Sequence, residues 1–229
     1  FGNWHQEIKR NKERLEECTK TISIGKLSGP VGNHTVVAED IEKITLTKLG
    51  LEPEIFATQI VARDRYAEVI TSLAILASSF ERVATNIRSY QRSEISELSE
   101  PFKDGQKGSS AMPHKKNPIT SERITGLARI VRGYALSSME NIVLWHERDI
   151  SNSSVERIVL PDTFNLICFI TKDLISIFDG LHINYKAIEK NLSDAADKLS
   201  SQKILSALVK NDIDRDCLLY TSPSPRDAT

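Results

Sequence analysis

A stripe of apolar side chains with a helical repeat runs through residues 64–92. Its members follow one another at spacings of four, three, four, three, four and three residues: Val69, Leu73, Leu76, Phe80, Val83, Ile87 and Tyr90. An average spacing of about 3.5 residues is typical of helices that pack lengthwise against partner helices. Such a helix would be roughly 40 Å long at about 1.5 Å per residue, which is longer than a compact domain needs. We therefore expect an elongated helical bundle that is shared between subunits.

Further helical patterns flank this stripe. We expect helices at residues 4–20, 38–49, 120–143 and 154–178, and another helical pattern around 202–210. Gly50 and Gly180 should end two of these helices, and Pro161 should bend or offset the start of the helix at 154–178. The side chains expected to face inward are Trp4, Ile8, Leu15, Cys18, Ile124, Leu127, Val131, Tyr134, Ile158, Phe164, Ile167, Ile170, Leu174 and Phe178. No segment alternates with period two over a useful length, so the predicted fold class is all-α.

Composition and charge argue against several kinds of partner. Of the 229 residues 40% are apolar and 27% are charged, and the formal net charge is −1. Nothing in this balance favours a nucleic acid or a membrane surface as a partner. The three cysteines lie far apart without metal-ligand spacing. We therefore expect no disulfide framework, no metal, and a cytoplasmic location, with neither a membrane span nor a secretory signal.

A basic loop rich in proline and glycine separates two of the predicted helices. It runs from Pro101 to Pro118 and contains three prolines, two glycines and several lysines around His114. One interpretation is an ordinary polar connection between helices. The other is a binding loop or lid, which the length of 18 residues favours, because long loops in compact domains tend to be functional.

Part of this loop carries a recognisable motif. Residues 108–118 have the sequence GSSAMPHKKNP, which resembles the signature GSSxMPxKxNP of the fumarase/aspartase superfamily at every fixed position. The segments ITSERITGLARIVRGY, GKLSGPVG, TQIVARDR and WHERDISNSSVER are similar to the adenylosuccinate lyase family of bacterial type. The resemblance extends from Phe1 to about Asp216. It implies a homotetramer whose central domains share one elongated helical bundle, of which this chain would be an internal piece, incomplete at both ends.

The resemblance also implies a division of the chain. Residues 1–185 are expected to belong to the central helical-bundle domain, with the catalytic loop at 101–118. Residues 186–216 would begin a C-terminal helical domain. Residues 217–229 have the sequence CLLYTSPSPRDAT, which has no helical period and is rich in serine and proline. We expect this tail to be disordered or foreign to the protein.

The family resemblance implies a cofactor-independent lyase of purine nucleotide biosynthesis. Its reaction would be β-elimination of fumarate from adenylosuccinate to give AMP, and from the related succinyl imidazole carboxamide ribotide. A proton must leave a carbon next to a carboxylate, so the site needs a base, and cations or N–H donors for the developing aci-carboxylate. Two alternatives stay open: another lyase of the superfamily (argininosuccinate lyase, fumarase or aspartase), and a non-catalytic helical association fragment.

The signature implies roles for residues of the loop. Ser109 corresponds to the catalytic base, and its hydroxyl would need a pKa depressed by cationic surroundings and backbone N–H groups. Lys115 and Asn117 match the residues that bind the carboxylate being converted to the aci-form. Ser110 and Met112 belong to the same ligand-contacting loop.

Substrate-binding roles are implied outside the loop as well. Arg123 matches a substrate-binding arginine, although without the resemblance it would be interpreted as a surface residue. Arg148, Ser153 and Arg157 would contact the substrate, with its phosphate as the favoured group. Ser153 or Ser154 has a compatible alternative role as the N-cap of the following helix, with Glu156 completing a capping box. Gln59 matches a glutamine that binds the nucleotide-bearing substrate.

None of the five histidines fits the general acid of the family. In the family that histidine lies in a Thr-His-Gly context, which is expected just before Phe1. Segments that bind the nucleotide are expected in the same preceding part. We therefore expect the 229-residue chain to be inactive on its own.

Overall fold

The computed structural model describes residues 1–102 and 116–211, and most of this part of the chain is helical. The helices are α1 (Gly2–Ile22), α2 (Glu39–Lys48), α3 (Asp64–Tyr90), α4 (Ile119–Glu140), α5 (Ser151–Asp179) and α6 (Tyr185–Lys210). The strands have two residues each and are β1 (Ile24–Gly25), β2 (Glu52–Pro53), β3 (Leu98–Ser99) and β4 (His182–Ile183). The predicted all-α fold class is confirmed.

Helix α3 lies at the centre of the bundle and packs against α1, α4 and α5. Four of its side chains are fully buried: Ile70, Ala77, Ala84 and Ile87. Burial of a large aliphatic side chain stabilises a fold by about 1.5–3 kcal/mol, and alanines at a contact allow helices to approach closely. Most members of the predicted stripe are buried, namely Leu73, Leu76, Phe80, Val83 and Ile87. The stripe is therefore part of the main packing surface of the bundle.

Side-chain contacts show that α1 runs antiparallel to α3. Asn11 donates a hydrogen bond to the hydroxyl of Ser79 at 2.9 Å. About two turns further along α1, the sulfur of Cys18 lies 3.1 Å from the hydroxyl of Ser72. Residue numbers rise along one helix and fall along the other, as in an antiparallel pair.

Helix α4 is also antiparallel to α3. Arg132 pairs with Glu81 at 2.5 Å, and Arg88 lies 4.0 Å from Glu122. Helix α5 then returns antiparallel to α4, as two further side-chain contacts between them show. The start of α4 therefore lies beside the end of α3, and the start of α5 lies beside the start of α3.

The short strands connect segments between the helices. Ile24 in β1 pairs with Glu52 in β2 in parallel orientation. Leu98 in β3 pairs with Ile183 in β4 in antiparallel orientation. Because two residues are too few to show a period-two pattern, the sequence did not predict these strands.

The helix predictions agree with the structure at most positions. Helices α1 to α5 lie at the predicted places, and their ends differ from the prediction by at most three residues. Gly50 has a φ of +71° just beyond α2, which confirms its role as a helix terminator. Helix α6 begins at Tyr185, well before the pattern noted around 202–210, and Pro161 lies inside α5. The predicted domain boundary after residue 185 stays a prediction, and the tail at 217–229 lies outside the described residues.

Several predictions of burial are wrong. Tyr90, Ile158, Phe164 and Phe178 were expected to face inward, but their exposed fractions are 39%, 56%, 48% and 40%. The apolar face of α5 that is buried consists of Val159, Thr163, Ile167, Ile170, Leu174 and Ile177. The predictions for Ile167, Ile170 and Leu174 are confirmed, but the spacing did not identify the whole face because α5 carries apolar residues on more than one side. None of the helices that the structure describes combines the length and hydropathy needed to cross a bilayer.

Candidate active site

The predicted site residues fall into two groups in the structure. The first, called the Arg148 group, consists of Gln59, Arg148, Ser153 and Arg157. The second, called the Asn117 group, consists of Asn117 and Arg123. Ser109, Ser110, Met112 and Lys115 lie outside the described residues.

The Arg148 group lies where the chain enters α3 and α5. The hydroxyl of Thr58, next to Gln59, donates a hydrogen bond to the backbone carbonyl of Glu147 at 3.0 Å. Arg63, just before α3, pairs with Glu156 in the second turn of α5, with 2.5 Å between Nε and Oε1. Both of these charged side chains are largely buried. The two contacts hold Gln59 beside the segment that carries the other members of the group.

The start of α5 is capped by an aspartate. The carboxylate of Asp149 accepts hydrogen bonds from the backbone N–H and the hydroxyl of Ser151, at 2.9 and 2.7 Å. These bonds hold the pKa of Asp149 below its ordinary value. Ile150 occupies the N-cap position, so the alternative role of Ser153 or Ser154 as the N-cap is wrong. Ser153 instead lies in the first turn of the helix.

The arginines of the Arg148 group are exposed on either side of this helix start. Arg148 precedes α5 and Arg157 lies within it, and both are exposed to solvent. A helix N-terminus attracts anions through its unpaired backbone N–H groups, and guanidinium groups bind phosphate in bidentate fashion. The arrangement is chemically suited to a phosphate.

In the Asn117 group, Arg123 already has a carboxylate partner. Its Nε and Nη2 donate hydrogen bonds to the two carboxylate oxygens of Asp173, at 2.8 and 2.9 Å. Its guanidinium also lies 5.2 Å from the centroid of the Phe169 ring. The hydrogen bonds from Arg123 to Asp173 raise the pKa of Arg123 above its ordinary value. A substrate carboxylate would therefore meet only the remaining N–H groups of Arg123 unless Asp173 released it.

A cleft of about 840 Å³ lies beside Asn117. One wall, called the α3 wall, is the end of α3 with the residues just after it, and the other is the segment that enters α4. The lining residues are Thr85, Arg88, Ser89, Gln91, Arg92, Ser93, Lys116, Asn117, Pro118 and Glu122. Three cations and one carboxylate among these residues give the cleft a net positive charge. A cleft of this charge favours an anionic ligand.

The cations of the cleft were not predicted as site residues. Arg88 lies in the last turn of α3, and Arg92 follows two residues after the helix ends at Tyr90. Lys116 lies across the cleft, with its Nζ 5.4 Å from the centroid of the Phe102 ring. The i, i+4 spacing of the two arginines just ahead of the signature loop was the available signal in the sequence.

The two groups are separated by the length of the bundle. The Arg148 group adjoins the first residues of α3, and the Asn117 group adjoins its last residues. Helix α3 has 27 residues, and at about 1.5 Å per residue it is roughly 40 Å long. The structure of one chain therefore does not bring the predicted residues into a single site.

The long antiparallel helices and the signature sequence at residues 108–118 are typical of the fumarase/aspartase class of proteins. A family model described as Lyase matches residues 1–133. This is more than half of the chain, and the chain belongs to that family.

Within this family the chain is similar to adenylosuccinate lyases. It is 48% identical over 213 residues to the adenylosuccinate lyase of Aquifex aeolicus, covering 93% of this chain and 49% of that protein. It is 46% identical over 216 residues to the enzyme of Synechocystis, covering 94% of this chain and 50% of that protein. The resemblance predicted from the sequence is confirmed. The chain spans about half the length of these curated relatives.

Solved structures of the superfamily share the fold. Fumarate lyase from Mesorhizobium has a TM-score of 0.79 at 24% identity, over 90% of this chain and 46% of that one. The 3-carboxy-cis,cis-muconate lactonizing enzyme from Pseudomonas putida has a TM-score of 0.78 at 24% identity, over 93% of this chain and 48% of that one. These similarities establish the helical architecture.

Proposed function

We propose that the protein containing this chain is an adenylosuccinate lyase, which releases fumarate from adenylosuccinate and leaves AMP. The observation that carries the proposal is the similarity to adenylosuccinate lyases at 42–48% identity over 93% of the chain. The unbroken sequence GSSAMPHKKNP at residues 108–118 supports it further. The same elimination would apply to the succinyl imidazole carboxamide ribotide.

The proposed chemistry assigns roles to three residues of the signature. Ser109 removes the proton from the carbon next to a carboxylate of the succinyl group. Lys115 and Asn117 stabilise the resulting aci-carboxylate by charge and by N–H donation. The C–N bond then breaks, its electron pair stays on the nitrogen, and a general acid from outside this chain protonates that nitrogen. No cofactor takes part.

The charges of the two groups support a particular orientation of the substrate. The cleft beside Asn117 is lined by Arg88, Arg92 and Lys116, so it suits the carboxylates of the succinyl group. The exposed Arg148 and Arg157 at the start of α5 suit the phosphate.

A complete site then requires more than one copy of the chain. The Asn117 group and the Arg148 group lie at opposite ends of α3, which is roughly 40 Å long, and a succinylated nucleotide is far shorter than that. Antiparallel packing of copies would bring the Asn117 group of one copy against the Arg148 group of another. This reasoning supports an assembly of several copies and an inactive single chain. From the family resemblance we propose that the assembly is a homotetramer, and we place the enzyme in the cytoplasm.

Fumarate release from adenylosuccinate by the intact protein containing this segment tests the proposal. We expect the wild-type protein to be active and the Ser109→Ala variant to lose at least about a hundredfold in kcat, since a general base contributes roughly 10²–10⁴-fold. A folded wild-type protein that acts on argininosuccinate, malate or aspartate but not on adenylosuccinate would make the substrate assignment wrong. An inactive protein that still assembles would favour a non-catalytic association fragment.

A further inference from the structure

A buried carboxylate joins the chain ahead of the signature loop to the helix behind it. Glu100 is only 4% exposed. Its Oε1 accepts a hydrogen bond from the backbone N–H of Thr120 at 3.0 Å. Its Oε2 accepts two more from Ser121, from the backbone N–H and from the hydroxyl, both at 3.0 Å. The first N–H groups of a helix lack partners within the helix, so Glu100 satisfies and stabilises the start of α4.

A second side chain links the same two segments to the end of α3. Gln91 is the residue immediately after α3. Its Oε1 accepts a hydrogen bond from the backbone N–H of Glu100 at 2.9 Å. Its Nε2 donates one to the backbone carbonyl of Lys116 at 3.0 Å. One amide side chain therefore holds both the segment that enters the loop and the segment that leaves it.

These bonds lie at the junction between the two walls of the cleft. Arg88 and Arg92 form part of the α3 wall, and Lys116 and Asn117 form part of the other. Gln91 lines the cleft between them. The separation of the walls is consequently set by the hydrogen bonds of Gln91, and the orientation of the second wall by those of Glu100.

Stability of α4 alone does not require such distant partners. Pro118 occupies the N-cap position and makes no side-chain cap hydrogen bond. A serine or aspartate at that position would cap the helix locally. The capping partner used instead is Glu100, 20 and 21 residues away in sequence, so its bonds fix the relative position of distant segments as well as capping a helix.

We propose that Gln91 and Glu100 are positioning residues for the elimination reaction. They hold Lys116 and Asn117 in register against Arg88 and Arg92, so that the carboxylate-binding groups meet the substrate in the reactive geometry. This role rests on the proposed function. A misplacement of about 1 Å in an active site can lower the rate by roughly a hundredfold.

The test uses the intact protein and two variants, Gln91→Met and Glu100→Gln. Gln91→Met keeps the length of the side chain and removes both hydrogen bonds. Glu100→Gln keeps the shape but replaces one acceptor oxygen with a donor. The matched control is Asn11→Ala, which removes a buried hydrogen bond to Ser79 in the middle of the bundle.

We call Gln91→Met and Glu100→Gln the clamp variants. We expect each of them to lower kcat by about 10- to 100-fold with KM changed less than about threefold, because transition-state contacts are lost more than ground-state binding. Amide hydrogen exchange of peptides covering residues 116–121 should become faster. The control should lower the midpoint of thermal unfolding as much while keeping kcat within about twofold of wild type, because its site is remote.

The outcomes separate this role from the proposed function. Clamp variants that keep the wild-type kcat and exchange rates overturn the positioning role alone. A control that loses kcat as strongly as the clamp variants also overturns it, because general destabilisation would then explain the loss. A wild-type protein that releases no fumarate overturns the proposed function, and this role in elimination with it.

Discussion

Mixing two defective variants tests whether one active site draws on more than one copy of the chain. Asn117→Ala removes the amide of the Asn117 group, and Arg148→Ala removes a cation of the Arg148 group at the other end of α3. In the intact protein we expect either variant alone to lose about 10²–10³-fold in kcat/KM, as is typical when a charge-stabilising donor is removed from an active site. The informative quantity is the activity of assemblies that contain both kinds of copy.

The expected recovery follows from the separation of the two groups. In a 1:1 mixture that assembles at random, about half of the sites receive an intact Asn117, and independently about half receive an intact Arg148 if that residue comes from another copy. About a quarter of the sites are then complete, so the mixture should have roughly 25% of the wild-type activity. If both residues of a site came from one copy, no site in the mixture would be complete.

The assay is fumarate release by mixed assemblies, obtained by co-expressing differently tagged variants and purifying through both tags. The control is a mixture of Arg148→Ala with Arg157→Ala. Both residues lie at the start of α5 and belong to the same group, so each site receives a defective group and activity should stay low. An Asn117→Ala and Arg148→Ala mixture that is no more active than its parents would refute the shared site.

Two further predictions concern assembly and pH. Phe164 is 48% exposed in the single chain, and covering about 100 Å² of its ring between copies would contribute roughly 2.5 kcal/mol. Phe164→Ala should therefore weaken assembly in sedimentation experiments across protein concentrations, whereas Ile41→Ala on the short α2 should not. The depressed pKa of Asp149 stabilises the fold at pH values above its ordinary value of 3.8, and this contribution is lost as the pH falls toward the lower folded value. Asp149→Ala should accordingly lower the midpoint of thermal unfolding near neutral pH, with the difference from wild type shrinking below pH 3.8.

The positions of the helices could be predicted because apolar spacing is a local property. Helix α3 carries its stripe over most of its length, and Ile124, Leu127, Val131 and Tyr134 recur at helical spacing in α4, so the places of both helices followed from residue spacing. The early start of α6 was missed although Ile188, Leu192 and Ala195 follow a helical spacing there. Its first residue is preceded by Asn184, whose side chain accepts a hydrogen bond from the backbone N–H of Ala187, which is an ordinary start signal.

Burial on α5 could not be predicted from spacing because apolar residues occur on several sides of that helix. A helix that is apolar on all sides is normally covered on all sides. The single chain covers only the face that contains Ile167 and Ile170, and leaves Ile158 and Phe164 exposed. The wrong predictions for the latter two residues are consistent with a bundle completed by other copies, which the Phe164 variant tests.

The division of the site between two ends of the bundle could be predicted from the sequence only by combining two kinds of information. The family resemblance assigned roles to residues but not their positions, and the apolar spacing placed the helices but assigned no roles. Asn117 immediately precedes α4 and Arg148 follows it, and α4 has 22 residues, so about 33 Å of straight helix must separate them. No loop movement can remove that separation, because both residues lie next to the ends of a helix packed along its length against α3 and α5. A sequence that places two parts of one small-molecule site on either side of a long bundle helix therefore predicts that the site is assembled from different copies.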